Sequence, residues 1–168
     1  MNFILREWQR DDIKDVAAVA NNEKIANNLR NAFPNPYTYE DADFYVNSCI
    51  HAGDEHQYTR AIVVDEKVVG SIGVFMGNDV YDLTGELGYW LAETHWGLGI
   101  MTNAVKQICK EVFDRYDIVR IYAEPFEYNS GSRRVLEKAG FSCEGIMKKG
   151  VHKNRKIFNY CMYALLAD

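Results

Sequence analysis

Apolar positions recur along this chain in two rhythms, one near 3.6 residues and one near 2, and their succession predicts the architecture. Ile100, Ala104, Val105, Ile108, Val112 and Phe113 keep the helical rhythm longest, which predicts a helix over 100–116. Ile13, Val16, Ala17 and Ala20 keep it more briefly behind Asp11 or Asp12 as the cap. The chain then turns at Asn21-Asn22 into a second short helical stretch. Pro34 and Pro36 each bias the residue before them out of the helical region, so 33–37 is a loop with an aromatic lining. Thr38, with Asp41 three residues on, resembles a capping box and opens a helix through Ala42, Tyr45, Val46 and Cys49 that ends near Gly53. Two β-branched runs, 60–64 and 68–74, flank Asp65-Glu66-Lys67 and predict a hairpin. Strands are also predicted over 2–8, 86–92, 118–123, 141–147 and 156–165, with a helix over 130–139 closed by Gly140. The predicted order is βααβββαβαββ. No repeat, low-complexity tract or linker interrupts it, so 1–168 reads as a single domain.

Composition narrows the class without naming it. Charged residues form 26% of the chain and the hydrophobic set 48%, an ordinary globular balance. With 19 basic against 24 acidic residues the formal charge is -5, so no chain-wide cationic surface exists to hold phosphate backbones, and direct nucleic-acid binding is disfavoured. Cys49, Cys109, Cys143 and Cys161 form no C-x-x-C pair and read as reduced thiols. The opening residues show no cationic leader and no apolar run approaches bilayer length, so a cytoplasmic protein without membrane association is expected.

Gly97-Leu98-Gly99 stands between a predicted strand and the most regular helix. The first N–H groups of a helix have no internal partner, the dipole adds partial positive charge, and glycines let an anion approach the backbone. A turn or helix cap would also explain the two glycines. A dinucleotide fingerprint would need glycine at Thr102, and a P-loop would need Gly-Lys-Ser/Thr, which is absent.

Three stretches together carry a more specific signal: Gly85-Glu86-Leu87-Gly88-Tyr89-Trp90-Leu91-Ala92, then Trp96-Gly97-Leu98-Gly99-Ile100-Met101-Thr102, then Asn129-Ser130-Gly131-Ser132 running on to Gly140-Phe141. In this order they resemble the GNAT superfamily of N-acetyltransferases, and more narrowly its ribosomal-protein N-terminal acetyltransferase (RimJ/RimL-like) branch. Leu5-Arg6 and Asn27-Asn28-Leu29-Arg30 also fit that branch. One departure is Thr94, where the superfamily turn commonly starts with Gln or Arg. The resemblance implies an α+β fold, an αβα sandwich around a mixed, mostly antiparallel sheet of about seven strands with about four helices and splayed central strands. It implies acetyl-CoA as co-substrate, with amides from Trp96, Gly97, Leu98, Gly99, Ile100, Met101 and Thr102 holding pyrophosphate. Trp90, Leu91 and Ala92 would pair with the pantetheine arm, and Asn129 and Ser132 would face the thioester.

Acetyl transfer to an amine needs a neutral amine, a polarised carbonyl and a proton for the departing thiolate. An α-amino group, with a pKa near 8, asks less of a base than a lysine near 10.4. Glu86, on the strand leading to the turn, is the candidate base, acting directly or through water; an exposed strand carboxylate or ion-pair partner is the plain alternative. Ser132 is the candidate acid, as well as an ordinary helix-start hydroxyl, and Asn129 is equally a good N-cap. Asn28, Arg30, Phe33, Tyr37 and Tyr89 are candidates for the acceptor side, where core packing would also explain the aromatics. His95 and His152 lack paired ligands, so no metal is expected, and no cysteine has a partner set for an acetyl-enzyme. The expected activity is direct acetyl transfer to a primary amine, a ribosomal or other protein N-terminus or a small molecule, by a monomer or homodimer. A non-catalytic acyl-CoA-binding or sensing module is the competing reading.

Overall fold

Asp65 and Glu66 both carry positive φ (48° and 65°), the left-handed pair that a two-residue hairpin turn requires, and they join β2 (Gln57–Val64) to β3 (Lys67–Met76). Asn154 and Arg155 repeat the device (53° and 64°) between β6 (Ser142–Lys153) and β7 (Lys156–Leu166). With β1 (Ile4–Arg6), β4 (Thr84–Leu91) and β5 (Arg120–Ala123) these strands form one seven-stranded sheet in the order β1-β2-β3-β4-β5-β7-β6. The pairings β1 with β2, β5 with β7 and β6 with β7 are antiparallel, whereas β4 with β5 is parallel, so the sheet is mixed and open. The computed structural model describes residues 1–168 and divides into two compact units, Met1–Gly73 with Tyr89–Ile100, and Val74–Gly88 with Met101–Asp168.

The first unit holds α1 (Ile13–Ala20), α2 (Glu23–Ala26) and α3 (Tyr39–Ala52). Val16, Ala20, Ile25, Ala42 and Val46 meet Ala61, Val63 and Val68 of the strands in one buried cluster, so the apolar rhythm of each helix becomes its core face. The capping box is present: the Thr38 amide donates to Asp41 Oδ2 at 2.8 Å and the Asp41 amide donates to Thr38 Oγ1 at 3.2 Å. Asp12 behaves differently from a simple cap. Its carboxylate, 3% exposed, accepts the Gln9 amide at 2.8 Å and both terminal nitrogens of Arg6 at 2.8 and 2.9 Å. It thereby stitches β1 to a 3-10 turn at Arg10–Asp12 that precedes α1, and holds the Arg6 pKa above its usual value.

The second unit contains almost all of α4 (Ile100–Arg115), together with α5 (Ser130–Lys138). Ala104, Val105, Ile108 and Val112 are fully buried along one face of α4. Five α-helices are present, and the short helical stretch expected after Asn21-Asn22 is the four-residue α2, capped by Asn22 through the Lys24 amide. β6 also runs well past the expected end at 147. Its pairing with β7 is interrupted between Met147 and Val151, where Lys149 takes positive φ, and resumes to Lys153. No helix is long and apolar enough to cross a membrane.

Candidate active site

In the first unit the end of β4 is built to hand the chain on to a glycine turn. The Ala92 amide donates to Val69 O at 2.7 Å, on the β3 side. Successive backbone groups in a strand point to opposite edges, so the Leu91 amide and carbonyl face away from β3. The Leu91 carbonyl accepts the indole Nε1–H of Trp96 at 2.8 Å. Between them lies a 3-10 turn, Glu93–His95, whose Glu93 carboxylate accepts Lys24 Nζ at 2.6 Å and Asn22 Nδ2 at 2.8 Å. These bonds hold the Glu93 pKa below the usual carboxylate value. Thr94, the departure from the superfamily pattern, places its hydroxyl 2.9 Å from His95 Nδ1.

Gly97 and Gly99 follow with φ of +74° and +78°, a region L side chains rarely adopt. A Cβ built on Gly97 would meet nothing within 4 Å, so the backbone there is open to an incoming group. The chain then enters α4, sixteen residues long with no acidic residue in its first turn. Two left-handed glycines, an open backbone and an acid-free helix start fit a pyrophosphate, which needs backbone donors and no competing carboxylate.

In the second unit, Glu86 sits on β4, half-buried, opposite Tyr122 of β5 in a parallel register that runs from Thr84↔Arg120 to Glu86↔Tyr122. That pair is the last of the ladder, so β4 continues for five further residues beyond its pairing with β5. Asn129 caps α5, its Oδ1 accepting the Ser132 amide at 3.2 Å, so Asn129 and Ser132 are joined directly and Asn129 keeps its Nδ2 as a donor. Ser132 is half-buried in the first turn of α5.

The acceptor candidates divide by exposure. Tyr37 (6% exposed) and Trp90 (8%) belong to the core of the first unit, and Phe33 packs on both, with ring centroids 4.9 Å from Tyr37 and 5.8 Å from Trp90. Burial, with Asp41 and Cys49 adding to it, pushes the Tyr37 hydroxyl up to about 12, so it stays protonated. Asn28 donates its Nδ2 to Lys24 O, Arg30 is exposed and Tyr89 is half-buried. Burial raises the thiol pKa of Cys49, Cys161 and Cys109, the last to about 12, which keeps these sulfurs protonated and poorly nucleophilic. No group of three or more His, Cys, Asp or Glu side chains is placed to hold a metal ion.

Two features escape the sequence. The indole clip of Trp96 is invisible because nothing in the spacing tells a side chain which carbonyl it will find. A cluster of Glu127, Tyr128, Phe158 and Asn159 forms because β7 runs beside the segment between β5 and α5, the Glu127 amide donating to Asn159 O at 2.9 Å across 32 positions.

Residues 2–142 match the profile of the Acetyltransferase (GNAT) domain. The chain is 37% identical over 101 residues to Probable N-acetyltransferase YjcK of Bacillus subtilis, 60% of this chain and 56% of that protein. It is 30% identical over 99 residues to the ribosomal-protein-serine acetyltransferase of Escherichia coli, 58% of this chain and 55% of that one. The aligned segments thus span little more than half the length of these relatives. A solved ribosomal L7/L12 α-N-protein acetyltransferase, RimL, in complex with coenzyme A superposes with a TM-score of 0.88 over 99% of this chain and 94% of its own, at 20% identity, a likeness of fold.

Proposed function

Because the chain belongs to the GNAT acetyltransferase family, we propose that it moves an acetyl group from acetyl-CoA directly to a primary amine, as one N-acetyltransferase domain acting in the cytoplasm. The observation that carries this reading is the open glycine turn, Gly97 and Gly99 at positive φ, leading into the acid-free start of α4.

Amides from Trp96 to Thr102 hold the pyrophosphate, and the backbone of Trp90, Leu91 and Ala92 takes the pantetheine arm. The Leu91 amide, directed away from β3, polarises the thioester carbonyl. The co-substrate supplies an acetyl group on a good leaving thiolate. Glu86 accepts the amine proton, directly or through water, as the amide C–N bond forms and the thioester C–S bond breaks. Ser132, its place in α5 set by Asn129, donates the proton that the thiolate takes and regains one from solvent, to which Glu86 releases the amine proton. No cysteine intermediate is used, in keeping with the raised thiol pKa values. The acceptor side draws on Asn28, Arg30 and Tyr89, with Phe33 and Tyr37 shaping it from the core. A protein N-terminal α-amine is the first acceptor to test, since the Escherichia coli relative is named a ribosomal-protein-serine acetyltransferase and an α-amine is partly neutral near pH 8.

The test is thiol release from acetyl-CoA across a panel of ribosomal-protein N-terminal peptides, polyamines and amino sugars, run beside calorimetric binding of acetyl-CoA. Turnover with at least one amine is expected. Binding without thiol release from any amine would replace this reading with that of a non-catalytic acyl-CoA sensor.

A further inference from the structure

α5 opens on Ser130-Gly131-Ser132, two serines and a glycine that form helix less readily than alanine or leucine, and its buried residue, Leu136, lies in its second half. Propensity and core packing therefore hold the end of this helix more firmly than its start. The chain also reaches that start through a tight bend. The Asn129 amide donates to Phe126 O and the Ser130 amide to Tyr128 O, both at 2.9 Å, and Asn129, at φ -80° and ψ 74°, is the centre of an inverse γ-turn. One residue spans the bend. Arg133 donates from its amide to Asn129 O at 3.1 Å, from Nη1 to Glu127 O at 3.2 Å and from Nε to the Tyr163 hydroxyl at 3.2 Å. Tyr163, fully buried on β7, donates in turn to Glu137 Oε1 at 2.8 Å. The segment before the bend is bonded to β7 as well, the Glu127 amide donating to Asn159 O at 2.9 Å and the Cys161 amide to Pro125 O at 2.8 Å.

We propose that Arg133 is a positioning residue for the Asn129–Ser132 pair, its guanidinium closing the bend between Glu127 and α5 against β7 and so fixing the first turn of the helix. The bond from the Ser132 amide to Asn129 Oδ1 at 3.2 Å lies inside the closed segment, so both residues are held with it. The task needs a planar fork: Nε and Nη1 reach acceptors on two different elements, which the compact ammonium of a lysine does not reproduce. Burial raises the Tyr163 pKa, so its hydroxyl keeps the proton that it gives to Glu137 while its oxygen accepts from Arg133. A catalytic group displaced by about 1 Å loses up to about 100-fold in rate, so the consequence falls on turnover rather than on cofactor binding. This inference rests on the acetyltransferase reading, with Ser132 as the acid, for its effect on turnover, and on the bonds of the protein alone for the positioning itself.

The experiment has two arms on the full chain. Without any ligand, hydrogen exchange of the Ser132 and Arg133 amides is followed by NMR; it is expected to quicken about tenfold or more in Arg133→Gln, while the amides of α4 stay within about twofold of wild type. With acetyl-CoA and an amine that wild type acetylates, Arg133→Gln is expected to lower kcat about tenfold or more with both KM values within about threefold, and Arg133→Lys to lose nearly as much. The Arg133→Gln loss is expected to disappear in a Ser132→Ala background, because two residues that act through one group are not additive. Should Arg133→Gln not fold, Tyr163→Phe keeps the buried ring, removes one acceptor and is expected to give the same pattern with a loss of about threefold or more. Unchanged exchange, an unchanged kcat, or the same loss with and without Ser132 overturns the positioning role. Quickened exchange with full activity in Ser132→Ala would uphold the positioning of the turn and remove Ser132 as the acid, and quickened exchange with no turnover of any amine would defeat the acetyltransferase reading instead.

Discussion

The indole nitrogen of Trp96 donates to the carbonyl of Leu91 at 2.8 Å, closing a five-residue loop between the end of β4 and the glycine turn. Leu91 is the last strand residue and Trp96 the last residue before Gly97, so this bond joins the two segments to which we assign the pantetheine and pyrophosphate. The loop is tied from a second side by Glu93, which Lys24 and Asn22 of the α2 cap hold at 2.6 and 2.8 Å. Trp96 is 42% exposed, so burial of the ring is not its main contribution. The backbone carbonyl it satisfies lies on the edge away from β3, where no neighbouring turn of chain supplies a donor as regularly as a sheet ladder does.

Trp96→Phe keeps most of the ring and deletes the donor. A hydrogen bond of this kind contributes about 1 kcal/mol, which corresponds to roughly a fivefold change in an equilibrium constant. Acetyl-CoA affinity is expected to fall about three- to tenfold by calorimetry, with the far-UV circular dichroism spectrum unchanged. Unaltered affinity would show that the clip does not set the turn.

Gly97→Ala separates conformation from packing. The new methyl meets nothing within 4 Å, so any loss comes from the positive φ of +74° and not from a clash inside the protein. The conformational term is about 1–2 kcal/mol, or a Tm decrease of roughly 2–8 °C for a chain of this size. Acetyl-CoA affinity is expected to fall by at least tenfold, more than the strain alone explains, because the methyl stands where an anion would approach the backbone. A variant that loses stability but binds acetyl-CoA normally would place the pyrophosphate elsewhere.

The contrast between what the sequence announces and what it conceals is clearest around this turn. The helix after it is legible because Ala104, Val105, Ile108 and Val112 repeat with the helical period and are all fully buried, a local rule with a local outcome. The Thr38–Asp41 box and the Asp65-Glu66 turn are legible for the same reason. Asp12 is not: it reads as a helix cap, but Arg6 lies on β1 and claims its carboxylate from six residues away. β6 is not either, since its predicted strand covers only 141–147, whereas pairing with β7 carries the strand across the irregularity to Lys153. The cluster at Glu127 and Asn159 depends on contacts across 32 residues, which no window of local pattern reaches.

The Lys24–Glu93 tether predicts a pH dependence. The Glu93 pKa is lowered from 4.5 first by the hydrogen bond from Lys24 and then by that from Asn22. A carboxylate with a depressed folded-state pKa contributes stability that is present above its unfolded value and is lost as pH falls through the folded one. Wild type is therefore expected to be more stable than Glu93→Gln above pH 4.5, with the difference vanishing below the lowered value. Thermal melts of both proteins from pH 7 to pH 3 check this. A difference that persists undiminished at pH 3 would mean that the ion pair is not its source.

Glu86→Gln tests the base most directly. Glu86 forms the last register pair of β4 with β5, opposite Tyr122, and the isosteric amide preserves the strand. A positioned base contributes about 10²–10⁴-fold, so kcat/KM at pH 7 is expected to fall within that range while acetyl-CoA affinity stays within about twofold. The loss should shrink as pH rises toward 9, because an α-amine with a pKa near 8 then arrives largely deprotonated and has less need of a base. A lysine-like amine, with a pKa near 10.4, should regain little over the same range. The pair of profiles thus identifies both the role of the carboxylate and the kind of amine it serves. Equal activity of the two proteins at neutral and high pH alike would remove Glu86 from the reaction and leave water as the base.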